Sequence, residues 1–325
     1  MMGSRRGCLP TVLAVVLVLA ALGWFFGGWY ASGPLAKETA FVVPEGSSLS
    51  LVADKLERNG AIASAGAFKL RARILSGGAP IKAGEFLLPK GASPSRILRI
   101  IQGDEVLRRF VTVPEGMPSI MVYERLMAQP NLTGTIEVPT EGSILPDTYE
   151  IEKGESRQAV LLRMQAAMRR TLAELWPKRA KDIAVSTPAE ALALASIVEK
   201  ETGKPAERRV VAGLYSNRLK QGIMLQADPT IIYPITKGKP LGRRIRQSEI
   251  QAVNDYNTYS MVGLPKGPIT NPGRASIEAV LNPAKTDALY MVADGTGGHQ
   301  FATTLEEHNA NVEKWYALRK ARGDF

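Results

Sequence analysis

A chain of 325 residues is long enough for about two domains and for a sizeable core in at least one of them. Its hydrophobic content of 45% and charged content of 22% are typical of a folded protein and exclude a disordered one. The net charge of +10 indicates an anionic partner: a nucleic acid, an acidic membrane face or an anionic polymer outside the cell. Because the basic residues are scattered, without an aromatic-interleaved stripe or zinc-finger spacing, we expect no nucleic acid partner.

An uncharged stretch near the N-terminus predicts a transmembrane anchor. Residues 9–30 are long enough to cross a bilayer, and aromatic residues cluster at their far end, from Trp24 to Tyr30. A cleaved signal peptide with a site near residues 31–33 is the alternative. The length of the apolar run favours an uncleaved anchor.

Two basic residues predict the orientation of this anchor. Arg5 and Arg6 precede it, so the positive-inside rule places residues 1–8 in the cytoplasm as a short tail and exports everything after residue 30. Cys8 is the only cysteine, which excludes an internal disulfide and leaves no exported cysteine for thiolate catalysis.

A short pattern occurs twice after the anchor. Residues 41–46 and 110–116 each contain a β-rich run and a Pro-Glu-Gly turn, and each is followed by an amphipathic helix. We predict helices at residues 49–59, 65–76 and 119–128, and a strand near residues 82–88.

The first of these segments resembles a known module. The strand–helix–helix–strand order within residues 37–103 is similar to that of LysM, a small binder of N-acetylglucosamine polymers. The alternative is a small αβ spacer that binds nothing. Residues 104–150 are predicted to form a second small αβ unit or connection.

The second half of the chain predicts a helix-rich α+β domain, residues 151–325. Helices are predicted at residues 156–175, at 206–221 before Gly222, and at 305–322, with a β run at 289–293. The fold class is therefore α+β, with helices dominant.

Between these helices lies another with clear start signals. Thr187 is predicted as its N-cap, Pro188 as its first residue, and Glu190 as the partner that completes a capping box. The run that follows, up to Val198, is almost wholly apolar. Residues 194–202 are predicted to form the C-terminal half of this helix.

Glu201 is the candidate general acid. At about 100° per residue it falls on the same stripe as Leu194 and Val198, whereas Glu199 points to another side. A carboxyl group on an apolar face loses hydration, its pKa rises, and it can hold a proton near neutral pH. The alternative is that the helix end leaves Glu201 at a solvated rim.

Loops rich in Pro, Gly, amide and hydroxyl groups follow. Such groups on rigid loops suit a polyhydroxylated ligand, although the same residues build ordinary turns. The segments are Gln226-Ala227-Asp228-Pro229-Thr230, Tyr256-Asn257-Thr258-Tyr259, Gly263-Leu264-Pro265-Lys266-Gly267-Pro268-Ile269 and Gly297-Gly298-His299-Gln300-Phe301. Residues 236–244 are strongly basic and are interpreted as a solvated loop, the alternatives being contacts to peptide carboxylates or membrane phosphates.

Taken in order with Ser196–Thr202 and Asn217-Arg218-Leu219, these segments resemble the YceG-like family, the endolytic murein transglycosylases of the bacterial inner membrane. The resemblance is close from about residue 188 onward and looser before it. It implies cleavage of the β-1,4 bond between N-acetylmuramic acid and N-acetylglucosamine within nascent glycan strands, leaving 1,6-anhydro ends. A role in ending glycan elongation is implied as well.

The resemblance also assigns roles to residues. Glu201, followed by Thr202 as in the Glu-Ser pair of other lytic transglycosylases, would serve as acid and then as base. Glu199 would pair with a neighbouring basic residue or support the site without contacting the glycan, and Arg218 would support the site in the latter way. The residues implied to contact the glycan are Gln226, Asp228, Thr230, Tyr256, Asn257, Thr258, Tyr259 and His299. The implied partners are peptidoglycan strands, the inner membrane and peptidoglycan synthases, with no cofactor.

Two other functions remain open at this point. One is a membrane-anchored scaffold that binds peptidoglycan, recruits cell-wall synthases and cuts nothing. The other is a conventional muramidase, which needs a second carboxylate such as Asp228 or Asp255. A metal site is not expected, because His299 and His308 are the only histidines and no His-Glu-x-x-His motif is present.

Overall fold

The computed structural model describes residues 8–323. Arg5, Arg6 and the rest of the tail before residue 8 lie outside the described residues. The chain forms two compact units that divide between Arg108 and Arg109. Both mix helices with short strands, so the architecture is α+β, as predicted.

The N-terminal apolar stretch forms helix α1, Cys8–Tyr30. Its segment Thr11–Tyr30 has a mean hydropathy of 2.2 and is long enough to cross a membrane. A single-pass anchor and a signal sequence both have these properties. The far end of α1 is nevertheless part of the first unit, because Trp29 is buried in its core and packs on Phe68.

The first unit contains two strands and three further helices: β1 (Thr39–Val43), α2 (Leu49–Arg58), α3 (Ala65–Leu75), β2 (Gly84–Leu88) and α4 (Pro94–Gln102). Strands β1 and β2 pair antiparallel, with Phe41 opposite Phe86. Each helix begins after a serine whose hydroxyl accepts a backbone N–H, at Ser48, Ser64 and Ser93. The predicted strand–helix–helix–strand order is present, and α4 was not predicted.

The second unit holds most of the helices. Its elements are β3 (Arg109–Thr112), α5 (Ser119–Met127), β4 (Thr148–Ile151), α6 (Arg157–Leu175), a 3-10 turn (Trp176–Lys178), α7 (Pro188–Glu201), α8 (Arg208–Lys220), α9 (Asp228–Thr236), α10 (Gln247–Ile250), α11 (Arg274–Leu281), β5 (Tyr290–Ala293), β6 (His299–Ala302) and α12 (Leu305–Arg322). Strand β3 pairs antiparallel with β4, and β5 with β6.

Helix α7 lies at the centre of the second unit. It packs against α8, α9 and α11, and its residues from Ala193 to Val198 are all buried. The hydroxyl of Thr187 accepts the N–H of Glu190, as predicted for an N-cap. The carboxylate of Glu190 accepts the N–H of Ser186 rather than that of Thr187, so the reciprocal half of the capping box is displaced by one residue.

This central position predicts that truncating a buried side chain of α7 lowers the free energy of unfolding. Leu194 is fully buried, so we expect Leu194→Ala to lower the free energy of unfolding of this unit by about 3 kcal/mol, through lost transfer energy and a residual cavity. Urea unfolding followed by circular dichroism measures the change. Leu162→Ala, on the exposed face of α6, is the matched control and should cost less than about 1 kcal/mol.

Candidate active site

A cavity of about 330 Å³ opens at the C-terminal end of α7. Helices α7, α8, α9 and α12 and the β5–β6 hairpin all contribute side chains to its wall. The lining residues are Glu201, Leu214, Tyr215, Arg218, Leu225, Gln226, Asp228, Tyr259, Met291, Val292, Ala293, His299 and His308. Of the sequence-predicted site residues, the cavity thus brings together Glu201, Arg218, Gln226, Asp228, Tyr259 and His299.

The carboxyl group of Glu201 faces this cavity from the last residue of α7. Its Oε1 atom is buried and has no hydrogen-bond partner in the described part of the chain. Burial, and to a lesser degree the negative charge of Asp228, raise the pKa of Glu201 to about 7, while a hydrogen bond from Tyr215 opposes the rise. A substantial fraction of Glu201 is therefore protonated at neutral pH, as a general acid requires.

Asp228 lies in the same cavity at the start of α9. The hydroxyl of Tyr259 donates a hydrogen bond to Asp228 Oδ1 over 2.7 Å. Burial and this bond raise the pKa of Tyr259 above its usual value, so the phenol keeps its proton. The cavity therefore contains two carboxyl groups, each paired with a tyrosine: Glu201 with Tyr215 and Asp228 with Tyr259.

Three residues predicted to contact the glycan are buried and hydrogen-bonded within the protein: Thr230, Asn257 and Thr258. The Thr258 hydroxyl accepts the N–H of Ala227 at 3.0 Å and lies 2.9 Å from the Thr230 hydroxyl. The side-chain amide of Asn257 donates to the carbonyls of Ile250 and Ala252. Since all three side chains are fully buried and outside the cavity wall, they fix the segments that present Asp228 and Tyr259.

Arg218 also lines the cavity and holds the backbone of neighbouring wall segments. Its guanidinium donates to the carbonyl of Leu289 at 2.6 Å and to those of Met224 and Leu225, and it donates to Gln226 Oε1 at 3.1 Å. Gln226 itself has a left-handed backbone, with φ of +53°. Such a conformation costs a non-glycine residue about 1–2 kcal/mol and requires the surrounding hydrogen bonds to hold it.

His299 reaches the cavity from β6 with a fixed ring orientation. The carboxylate of Glu207 accepts two hydrogen bonds from His299, one from ring Nδ1 at 2.8 Å and one from the backbone N–H at 3.1 Å. Burial would raise the pKa of Glu207, but these hydrogen bonds, the charge of His299 and that of Lys204 together lower it. The pair therefore connects the β5–β6 hairpin to the start of α8.

Glu199 and Tyr256 lie outside the cavity wall. Glu199 accepts the N–H of Gly273 at 2.9 Å and lies 3.8 Å from an Arg208 guanidinium nitrogen, so it links α7 to α8 and α11. Tyr256 packs against Tyr233, with ring centroids 4.8 Å apart and the ring planes tilted by 48°.

Sequence reasoning missed three residues of this site: Tyr215, Glu207 and His308. Tyr215 lies on the buried face of α8, three residues before Arg218, so helical spacing could have identified it. His308 stacks on Tyr290 at 5.3 Å, and its pKa is lowered by burial and by Arg218. Neither the His308 contact nor the Glu207–His299 pair leaves a signal in local sequence.

The site holds no cluster of metal ligands. Within residues 8–323, no group of three or more His, Cys, Asp and Glu side chains is placed to bind a metal ion.

The raised pKa of Glu201 predicts a pH-dependent stability. The acid ionises at about 4.5 when unfolded and at about 7 when folded, so its favourable contribution is complete below pH 4.5 and is lost as the pH rises through 7. Glu201→Gln should therefore have a larger free energy of unfolding than the wild type at pH 8, by up to about 3 kcal/mol. The difference should disappear near pH 4.

Glu141 provides the matched control for this measurement. Burial raises its pKa to about 7 as well, against hydrogen bonds from Ser119 and Tyr233, and it lies outside the cavity wall. Urea titrations of Glu201→Gln and Glu141→Gln at pH 4 and pH 8 should show the same trend. A Glu201 variant whose stability follows the wild type at both pH values would contradict the proposed burial.

The chain resembles known proteins over most of its length. The model of the YceG-like family matches residues 41–314. An endolytic murein transglycosylase of Bacillus subtilis (strain 168) is 29% identical over 336 residues, which cover 92% of each chain. Another, from Streptococcus pneumoniae serotype 2 (strain D39), is 28% identical over 355 residues, covering 92% of this chain and 63% of the relative.

A solved structure shares the fold. A crystal structure of a yceG-like protein from Listeria monocytogenes matches with a TM-score of 0.51 at 25% identity, covering 84% of this chain and 98% of that one.

Proposed function

Because this chain belongs to the YceG-like family, we propose that it is an endolytic murein transglycosylase. In this proposal it cleaves the β-1,4 bond between N-acetylmuramic acid and N-acetylglucosamine within a glycan strand and leaves a 1,6-anhydro end. The observation that supports it most directly is a buried carboxyl group, Glu201, whose pKa of about 7 suits proton transfer and which lines a cavity.

A single acid can carry out this reaction. Glu201 donates its proton to the leaving O4 oxygen as the C1–O4 bond breaks, and positive charge develops on C1 and the ring oxygen. The C6 hydroxyl of the same muramic acid then forms the C1–O6 bond, and its proton returns to Glu201. The step consumes no water, and Tyr215 holds the Glu201 carboxyl group in place by its hydrogen bond.

The remaining predicted residues divide into two roles. We assign glycan contact to the side chains in the cavity wall, Gln226, Tyr259 and His299, and to Tyr256 as an aromatic surface for a sugar further along the strand. Thr230, Asn257 and Thr258 position these groups from inside the protein. Glu199 and Arg218 support α7 and the cavity wall in the same way.

The N-terminal region extends the proposal to location. If α1 is an uncleaved anchor with a cytoplasmic N-terminus, the cavity faces the periplasm close to the inner membrane, where new strands are made. Nascent strands are then the substrate, and the family resemblance extends the proposal to ending glycan elongation beside the synthases. The strand–helix–helix–strand order of the first unit supports a LysM-like role in binding the glycan.

The position of Asp228 in the cavity wall favours a second function, that of a muramidase. A muramidase uses a second carboxylate to activate water or to attack the sugar, and Asp228 lines the cavity with Glu201. Asp255, the other candidate, is exposed and paired with Lys266 at 2.9 Å outside the cavity wall. The muramidase would produce reducing ends instead of anhydro ends.

Product analysis tests the proposal. The full-length chain in detergent, which retains Trp29 in the core of the first unit, is incubated with un-crosslinked glycan strands, and the products are weighed by mass spectrometry. We expect anhydro-muramic ends from the wild type and a loss of about 10²–10⁴ in rate for Glu201→Gln. Glu141→Gln, an acid of similar pKa outside the cavity, should keep the wild-type rate.

The other outcomes are equally clear. Reducing ends would replace the proposal with the muramidase. Strands that are bound and left intact by the wild type would replace it with the scaffold. Equal rates for Glu201→Gln and the wild type would remove Glu201 from the mechanism.

A further inference from the structure

The cavity contains a second carboxyl group that the one-acid mechanism does not use. The Tyr259 hydroxyl donates a hydrogen bond to the side chain of Asp228. Its backbone is placed by the start of α9 and by the bond from the Ala227 N–H to the buried Thr258 hydroxyl. A carboxyl group held in this way beside Glu201 is a candidate for a specific role in the reaction.

We propose that Asp228, held by Tyr259, is the electrostatic partner of Glu201: its carboxylate stabilises the positive charge that develops on the sugar. This inference rests on the proposed transglycosylase activity and deepens it. Asp228 forms no bond to the substrate in this role and accepts no proton from it.

Two features place positive electrostatic potential beside the Asp228 carboxylate. The Tyr259 hydroxyl donates a hydrogen bond to it. The N-terminus of a helix carries partial positive charge, and α9 begins at Asp228. Glu201 has the opposite environment, at the C-terminal end of α7, where the helix dipole disfavours a negative charge.

The other ionisable groups of the cavity leave the charge of Asp228 available. The guanidinium of Arg218 is occupied by three carbonyls and Gln226. His299 is bound to Glu207, while burial favours the neutral form of His308. Tyr215 and Tyr259 both keep their protons.

This arrangement gives two carboxyl groups different tasks through their environments. The negative charge of Asp228 opposes ionisation of Glu201, so the acid keeps its proton until the leaving oxygen takes it. As the C1–O4 bond breaks, charge on C1 and the ring oxygen becomes positive, and the carboxylate of Asp228, already held in position by Tyr259, stabilises that charge without having to reorganise. The C6 hydroxyl closes the C1–O6 bond and returns a proton to Glu201, while Asp228 is unchanged.

The experiment compares Asp228→Asn with Asp255→Asn in the full-length protein. Asp255 belongs to the same loop as Tyr259 and undergoes the same change of charge, but it lies outside the cavity wall and is paired with Lys266. Carbon-13 labelling of glutamate, with the Glu201 signal identified by its absence in Glu201→Gln, allows NMR titration of that one carboxyl group. Rates of anhydro-end formation are measured on the same proteins from pH 5 to pH 9.

In Asp228→Asn we expect the titration midpoint of Glu201 to fall by about 1 pH unit. The alkaline limb of the kcat/KM profile should shift to lower pH by a similar amount. We expect kcat to fall about 100-fold, with KM changed less than about threefold. Asp228→Glu should recover part of kcat because it restores the charge. Tyr259→Phe, which keeps the charge and frees the carboxylate, should lose about tenfold in kcat with a smaller change in the midpoint.

The opposite results would overturn the inference. An unchanged midpoint in Asp228→Asn, or a loss confined to KM, would make Asp228 a residue that only binds substrate. Because the titration needs no turnover, it tests the pairing even if the wild type cleaves no glycan. Reducing ends from the wild type would instead contradict the proposed function and would assign Asp228 to hydrolysis. Thermal unfolding of each variant identifies any that fails to fold, and Tyr259→Phe then provides the second test.

Discussion

Removal of the Glu201 carboxyl group from water is the constraint on which the site depends. The group lies where the apolar stripe of α7 meets the walls formed by Leu214 and Leu225 of the cavity, and one of its oxygens has no partner among the described residues. Ionising such a group costs free energy, so this carboxyl group lowers the stability of the fold where it ionises and keeps a proton available at neutral pH. The packing of α8 against α7 and the side chains that the β5–β6 hairpin contributes to the cavity wall maintain that dehydration.

The two glutamates at the end of α7 show how environment decides the role of a side chain. Glu199 accepts a backbone N–H from Gly273 and lies close to Arg208, so it is a structural anion that connects three helices. Glu201, two residues away and rotated by about 200° around the helix axis, meets a phenol and no cation. The difference follows from which neighbours α8 and α11 bring to each side of α7.

Much of this could be predicted from sequence, because caps and apolar periodicity are local. Helix α7 begins after Thr187 as predicted, and the apolar stripe that carries Glu201 followed from helical spacing alone. The helix ends at Glu201, whereas the predicted run extended to Thr202. Helix α9 was missed, because Pro229 and Pro234 make it look like a loop. Burial also depends on contacts that are distant in sequence. The Asp-Pro-Thr and Asn-Thr-Tyr segments both look ligand-facing in sequence, and only the tertiary structure shows that Thr258 is buried while Asp228 lines the cavity.

A raised pKa does not by itself identify the acid of this protein. Glu141 reaches the same pKa of about 7 as Glu201, but its carboxylate is bound by the N–H of Ser119 and the side-chain amide of Asn271. Those donors fix the 141–144 segment against the loop before α11, since Asn271 also accepts the N–H of Ile144. Glu201 has an oxygen without a donor and a cavity in front of it. Access to a substrate, together with a proton that no other group holds, is what makes one of two similarly buried acids suitable for catalysis.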